Sequence, residues 1–211
     1  MIFLLPGGGH KRMLQTRMAD FGVMATPAGG HRPKLLTEVR CWAADNGCYS
    51  NRFDYGRWIG WLEALRPFRE TCLFAVAPDV VGDWSATWER ARPALPMMRT
   101  LGYRVAIVAQ DGVMVESFPW GEADALFVGG TTGFKESALA LNLVKGANAR
   151  GLHSHVGRVN TRRRILMAYR MGADSVDGTA LCHVPDFWFQ TLVRWMGEAN
   201  KQQILAGLLG E

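Results

Sequence analysis

Eight short apolar runs, each closed by turn residues, constrain this chain more than any other feature. They lie at 2–5, 22–25, 41–44, 72–77, 104–109, 125–128, 151–156 and 173–176. Between them, segments at 54–67, 84–101, 134–145 and 161–171 repeat apolar residues at three- and four-residue steps, the period of a helix with one buried face. Strands that alternate with helices require parallel crossovers, and a count near eight predicts a compact, TIM-like (β/α)8 barrel of the α/β class. A doubly wound open sheet is the alternative. Past the eighth run, 185–195 and 204–209 read as two amphipathic helices closing the barrel, with Phe187, Trp188, Leu192, Trp195 and Met196 as core or as an oligomer contact. The whole chain, 1–211, reads as one domain.

A chain of 211 residues that is 48% hydrophobic can bury one sizeable core. Its net charge of +5 suits an anionic partner, although a merely solvated surface carries as much. Cys41, Cys48, Cys72 and Cys182 include no CxxC pair and no histidine at zinc-finger spacing, so neither a disulfide framework nor a structural zinc is expected, and a reducing cytoplasm fits best. The first apolar run passes directly into Pro6-Gly7-Gly8-Gly9 without a basic leader, which reads as a strand and not a signal peptide. Nothing approaches the ~20 apolar residues of a membrane span, so no membrane partner is expected.

In a barrel the chemistry stands at the carboxyl ends of the strands. Here the third run ends in Asp45-Asn46-Gly47-Cys48-Tyr49, the fourth in Pro78-Asp79 and the fifth in Gln110-Asp111-Gly112. The sixth ends in Gly129-Gly130-Thr131-Thr132, the seventh in His153-Ser154-His155-Val156-Gly157 and the eighth in Asp177-Gly178. One Asp after a strand is more often a helix cap or turn residue than a catalyst. The accumulation of acids and amides at successive strand ends exceeds what folding requires.

The ordered set Ala44-Asp45-Asn46-Gly47, Ala77-Pro78-Asp79, Ile107-Val108-Ala109-Gln110-Asp111-Gly112, Val128-Gly129-Gly130 and Gly172-Ala173-Asp174-Ser175-Val176-Asp177 resembles the tRNA-guanine transglycosylase (queuine tRNA-ribosyltransferase) superfamily. The resemblance spans about 21–180 and is closest to the DpdA-like branch that inserts 7-deazaguanines into DNA. It implies that Asp177 is the nucleophile on the sugar C1′ and Asp45 the general acid/base. Asp79 is then expected to pair with the guanine-type edge, Gln110 and the backbone of Gly129 and Gly130 to bond the base carbonyl, and Tyr49 to offer a stacking face. The chemistry is coherent: an oxocarbenium-like centre calls for a carboxylate, and a departing base for a proton donor. Carboxylates suffice, so no cofactor and no metal are expected.

The sequence also departs from the family. Cys48 and Tyr49 stand where the family has Gly and Phe, and the seventh run lacks the family's base-covering Met, leaving His153, His155 or Arg158 as substitutes. Beyond the nucleophile Cys182 is the only cysteine, where the zinc subdomain of the tRNA-acting members has three with a histidine, which points to another polymer, DNA more than tRNA.

Basic segments supply candidate polymer contacts. Arg162, Arg163 and Arg164 open a predicted helix after Asn160, a candidate N-cap, where positive charge opposes the helix dipole unless an anion is held. Lys11, Arg12, Arg32 and Lys34 follow the first two runs in glycine-rich turns without P-loop spacing. The expected partners are therefore nucleic acid and a 7-deazaguanine base, with a partner protein or a second copy of the chain also open. Rival readings are a base-binding accessory subunit without turnover, a tRNA-acting transglycosylase, and a nucleosidase-type barrel hydrolase.

Overall fold

All eight strands pair in parallel and in chain order, and the eighth returns to the first to close a barrel. The computed structural model describes residues 1–6, 20–29, 33–50, 53–179 and 186–209. The strands are β1 (Ile2–Pro6), β2 (Phe21–Ala25), β3 (Trp42–Ala44), β4 (Cys72–Val76), β5 (Val105–Ala109), β6 (Ala125–Val128), β7 (His153–Val156) and β8 (Ser175–Asp177). The open-sheet alternative is excluded by the pairing of β1 with β8, in which Leu4 stands opposite Asp177.

The α-helices are α1 (Pro33–Glu38), α2 (Tyr55–Leu65), α3 (Trp84–Ala91), α4 (Leu95–Thr100), α5 (Thr132–Lys135), α6 (Ala138–Asn148), α7 (Arg162–Met171) and α8 (Asp186–Leu209). Three expectations need correction. The segment 84–101 is two helices, because Pro93 and Pro96 each withdraw a backbone donor and a 3-10 turn at Arg92–Ala94 absorbs the change. The closing element is one helix, Asp186–Leu209, not two. The N-cap of α7 is Thr161, whose hydroxyl accepts from the Arg164 N–H; Asn160 lies one position too early.

Two apolar layers follow from the two-residue period of a strand. On β5, Val105, Ile107 and Ala109 face the helices with Trp42, Leu62, Leu95 and Met98, whereas Ala106 and Val108 point into the barrel with Leu4, Met24, Ala43, Phe74 and Val76. The inward phase continues past each strand end. Asp45 comes two residues after Ala43, Gln110 two after Val108, and Gly129 two after Phe127. The parity that fills the barrel interior with alanine and valine thus delivers an acid, an amide and a glycine to its mouth. Among the described residues no helix is long and apolar enough to cross a membrane.

Candidate active site

A cavity of about 400 Å³ opens at the carboxyl ends of the strands, and its walls include Asp45, Tyr49, Asp79, Gln110, Gly129, Gly130 and Asp177. Those are the pocket residues singled out from the sequence. The volume falls within the range of small-molecule sites. Small side chains keep the space open: a Cβ at Gly129 would come within 2.7 Å of Val108, and one at Gly157 within 2.7 Å of Phe127. Gly130 has φ +72°, and a Cβ there would meet Asp111 and Phe134 at 2.6 Å, so this turn requires glycine.

Asp177 ends β8 with its carboxylate held on one side. Its Oδ1 accepts from the Arg158 backbone N–H at 2.8 Å and stands 3.2 Å from His155 Nε2. Behind it runs a buried polar chain: His155 Nδ1 is 2.9 Å from Ser175 Oγ, which is 2.7 Å from His153 Nε2. One proton assignment satisfies every atom, with His153 Nε2–H donating to Ser175, Ser175 O–H to His155, and His155 Nε2–H to Asp177. Burial holds His153 down to about 4, which keeps that ring neutral. Phe74 and Phe127 pack against the His155 ring at centroid distances of 5.3 and 4.5 Å. The other oxygen, Oδ2, receives no donor among the described residues.

The Asp45 carboxyl holds its proton to a higher pH than an ordinary carboxylate. Burial, with the Asp177 charge as the next cause, raises its carboxyl to about 7. Two carboxylates of one cavity thus couple electrostatically.

Asp79 is buried and bonded to two amides: Asn46 donates to Oδ1 at 2.9 Å and Gln110 donates to Oδ2 at 2.6 Å. Burial still pushes its pKa up, against those two bonds. The carbonyl of Gln110 accepts from the Gly82 N–H at 2.9 Å, so the side chain is fixed at both ends and only its second amide hydrogen faces elsewhere. Asn46, not singled out from the sequence as a site residue, also donates to the Ala77 carbonyl and accepts from the Cys48 N–H, which locks the β3 turn onto β4. Burial pushes the Cys48 thiol up to about 12, so it stays protonated. Cys41, Cys48 and Cys72 are free and buried.

Tyr49 is 70% exposed, and one ring face carries the Arg158 guanidinium at 4.7 Å. Arg158 therefore spans three loops at once: it stacks on Tyr49, donates to the Gly130 carbonyl at 2.7 Å, and points its backbone N–H at Asp177. It does so with φ +58°, a left-handed conformation unusual for a side chain of this size.

The arginine cluster has its anions inside the chain. Arg162 pairs with Glu198 at 2.8 Å, Arg163 with Glu136 at 2.6 Å and Arg164 with Glu136 at 3.0 Å. The charge that opposes the α7 dipole is thus compensated by side chains on α8 and after α5, and of the three only Arg164 reaches the cavity wall. Lys34 is exposed on α1. Lys11, Arg12, Arg32 and Cys182 lie outside the described residues.

Lys135 is a second cavity residue that sequence reasoning missed. It is 4% exposed, and burial, followed by repulsion from Arg158, lowers its amine to about 8. In sequence it is one cation in the helical stretch Thr132-Gly133-Phe134-Lys135-Glu136, where only the tertiary fold reveals its burial. Among the described residues no group of three His, Cys, Asp or Glu side chains is arranged to hold a metal.

No protein-family model matches the chain, and no curated protein matches it. Solved structures do. A cube-shaped designed protein cage built by fusing symmetric oligomeric domains aligns over 100% of this chain and 77% of its own, at 12% identity and TM-score 0.61. A native KDPGal structure aligns over 97% of each chain at 10% identity and TM-score 0.60. The 3-hexulose-6-phosphate synthase of Salmonella typhimurium aligns over 95% of this chain and 96% of its own, at 14% identity and TM-score 0.51. At such identities the likeness is one of fold, and the fold is the TIM-type barrel.

Proposed function

We propose that this protein is a base-exchange transglycosylase that replaces guanine in nucleic acid with a 7-deazaguanine, with DNA as the favoured polymer. One observation carries the reading: Asp45, Asp79, Gln110, Gly130 and Asp177, supplied by five different strands, line a single cavity. In the reaction, Asp177 Oδ2 attacks the sugar C1′ as the glycosidic bond to N9 breaks, and the departing guanine takes the Asp45 proton. The incoming 7-deazaguanine returns its own N9 proton to Asp45, and N9 then displaces Asp177 from C1′. Asp79, accepting donors from the N1 and amino edge, distinguishes a guanine-type ring from adenine.

The test is uptake of labelled 7-deazaguanine into DNA or tRNA, together with covalent trapping of the polymer. Label and adduct are expected with the native protein and neither with Asp177→Asn, nearly isosteric but a poor nucleophile. Base binding without uptake into either polymer would instead favour an accessory subunit.

A second reading has one observation in its favour. A buried amine near pKa 8 in a barrel cavity is also what an imine-forming lyase needs, and Lys135 is such an amine. Borohydride trapping with pyruvate, read by mass spectrometry at Lys135, tests it.

A further inference from the structure

The base-exchange chemistry above leaves Lys135 without a task. The residue is almost fully buried, lines the same cavity as Asp177, and its amine forms neither an ion pair nor a hydrogen bond among the described residues. None of its acidic neighbours among the described residues pairs with it. Glu136 is taken by Arg163 and Arg164. Asp111 accepts from the Thr131 N–H and hydroxyl at 2.8 and 2.6 Å. Asp177 Oδ1 already has Arg158 and His155, and although the Asp177 charge favours the ammonium, its carboxylate forms no ion pair with Lys135. Meanwhile Arg158 and Arg164 line the same cavity and repel the ammonium. A structural lysine ordinarily extends its stem and leaves the charge in water. Here the residue as a whole is buried and its unbonded amine lines the cavity, where an anionic ligand would meet it at low cost in desolvation.

The distribution of charge around the rim indicates what compensates it. The acid and amides that hold the base edge come from the ends of β3, β4 and β5. Lys135, Arg158 and Arg164 follow β6 and β7, with Asp177 beside them on β8. A nucleotide has the same polarity: the base departs from C1′ on one side of the sugar, and the phosphates leave from its 3′ and 5′ oxygens on the other. We propose that Lys135, flanked by Arg158 and Arg164, receives the phosphate adjacent to the sugar that Asp177 attacks. The proposal rests on the base-exchange reading for the identity of the sugar, and on the cavity itself for the anion. Arg164 shares its charge with Glu136 and Arg158 is bound to Gly130 and Tyr49, so Lys135 supplies the uncommitted charge.

Titration calorimetry at pH 7 tests this with 2′-deoxyguanosine, its 5′-monophosphate, its 3′-monophosphate and inorganic phosphate. One monophosphate is expected to bind about tenfold or more tightly than the nucleoside, the scale of one charge-assisted contact. Lys135→Met should erase that ratio and leave nucleoside affinity unchanged, while Lys135→Arg should retain most of it. Lys135→Gln repeats the measurement should the methionine variant fail to fold. Equal affinity for nucleoside and both monophosphates, or a phosphate preference that survives loss of the amine, overturns the proposal. If no nucleoside binds but inorganic phosphate does so through Lys135, the anion site stands and the base-exchange reading falls. If the nucleoside binds and phosphate adds nothing, the reverse holds.

Discussion

Asp45→Asn should make the protein more stable and less active, and the gain in stability should depend on pH. A carboxyl raised from 3.8 to about 7 represents about 4 kcal/mol of disfavoured ionisation. Below 3.8 both the folded and the unfolded chain hold the proton and the group is neutral toward stability. Between 3.8 and about 7 the unfolded chain releases the proton while the folded chain keeps it, so stability is lost as pH rises; above about 7 the full penalty stands. An amide cannot ionise and escapes the penalty. Urea unfolding at pH 4 and pH 8 should therefore show Asp45→Asn close to the native protein at the lower pH and about 2–4 kcal/mol more stable at the higher, the range allowing for relaxation of the site. Because the Asp177 charge is the second cause of the shift, Asp177→Asn should shrink the difference. The proposed base exchange, in which Asp45 gives up a proton, should fall as pH rises through about 7 in the native protein and be lost in the variant. An Asp45→Asn protein with the same stability profile from pH 4 to pH 8 as the native chain would refute both the acid role and the environment assigned to it.

Two further outcomes are expected. Arg158→Gly and Arg158→Ala both remove the contacts to Gly130 and Tyr49, but only glycine adopts the left-handed backbone freely, so the alanine variant should be less stable by about 1 kcal/mol, or about 2–4 °C in a protein of this size. Equal melting temperatures would mean that the Asp177 contact does not hold that conformation. Neutralising Arg162, Arg163 and Arg164 to Gln should reduce the slope of log K against log salt by roughly one for each arginine that meets a duplex phosphate. An unchanged slope assigns all three to Glu136 and Glu198 alone.

Much of the barrel can be read from the sequence because turn residues bound each apolar run closely; the run at 125–128 coincides with β6. Helix ends were less legible where two local signals compete. Pro93 and Pro96 divide a periodic stretch that the apolar spacing alone makes continuous. Asp45, Gln110 and Asp177 were visible because a polar residue at the end of an apolar strand has no packing reason to be there. Lys135 was not, since its burial is a property of the rim and its neighbours in sequence are ordinary helix residues. The arginine cluster shows the opposite limit. Its charge is local, but Glu198, the partner of Arg162, lies 36 residues further on and no short-range pattern connects them.

The seam between β1 and β8 has a kinetic consequence. Leu4 and Asp177 are paired neighbours although most of the chain separates them, so the strand that carries Asp177 finds its last partner through one of the longest loop closures the fold contains. The proposed base exchange would then double as a reporter of ring closure. In a refolding time course, helical signal should return ahead of transfer activity. A substitution buried at Phe3, remote from any substrate, should delay that return more than an equally destabilising one on α2.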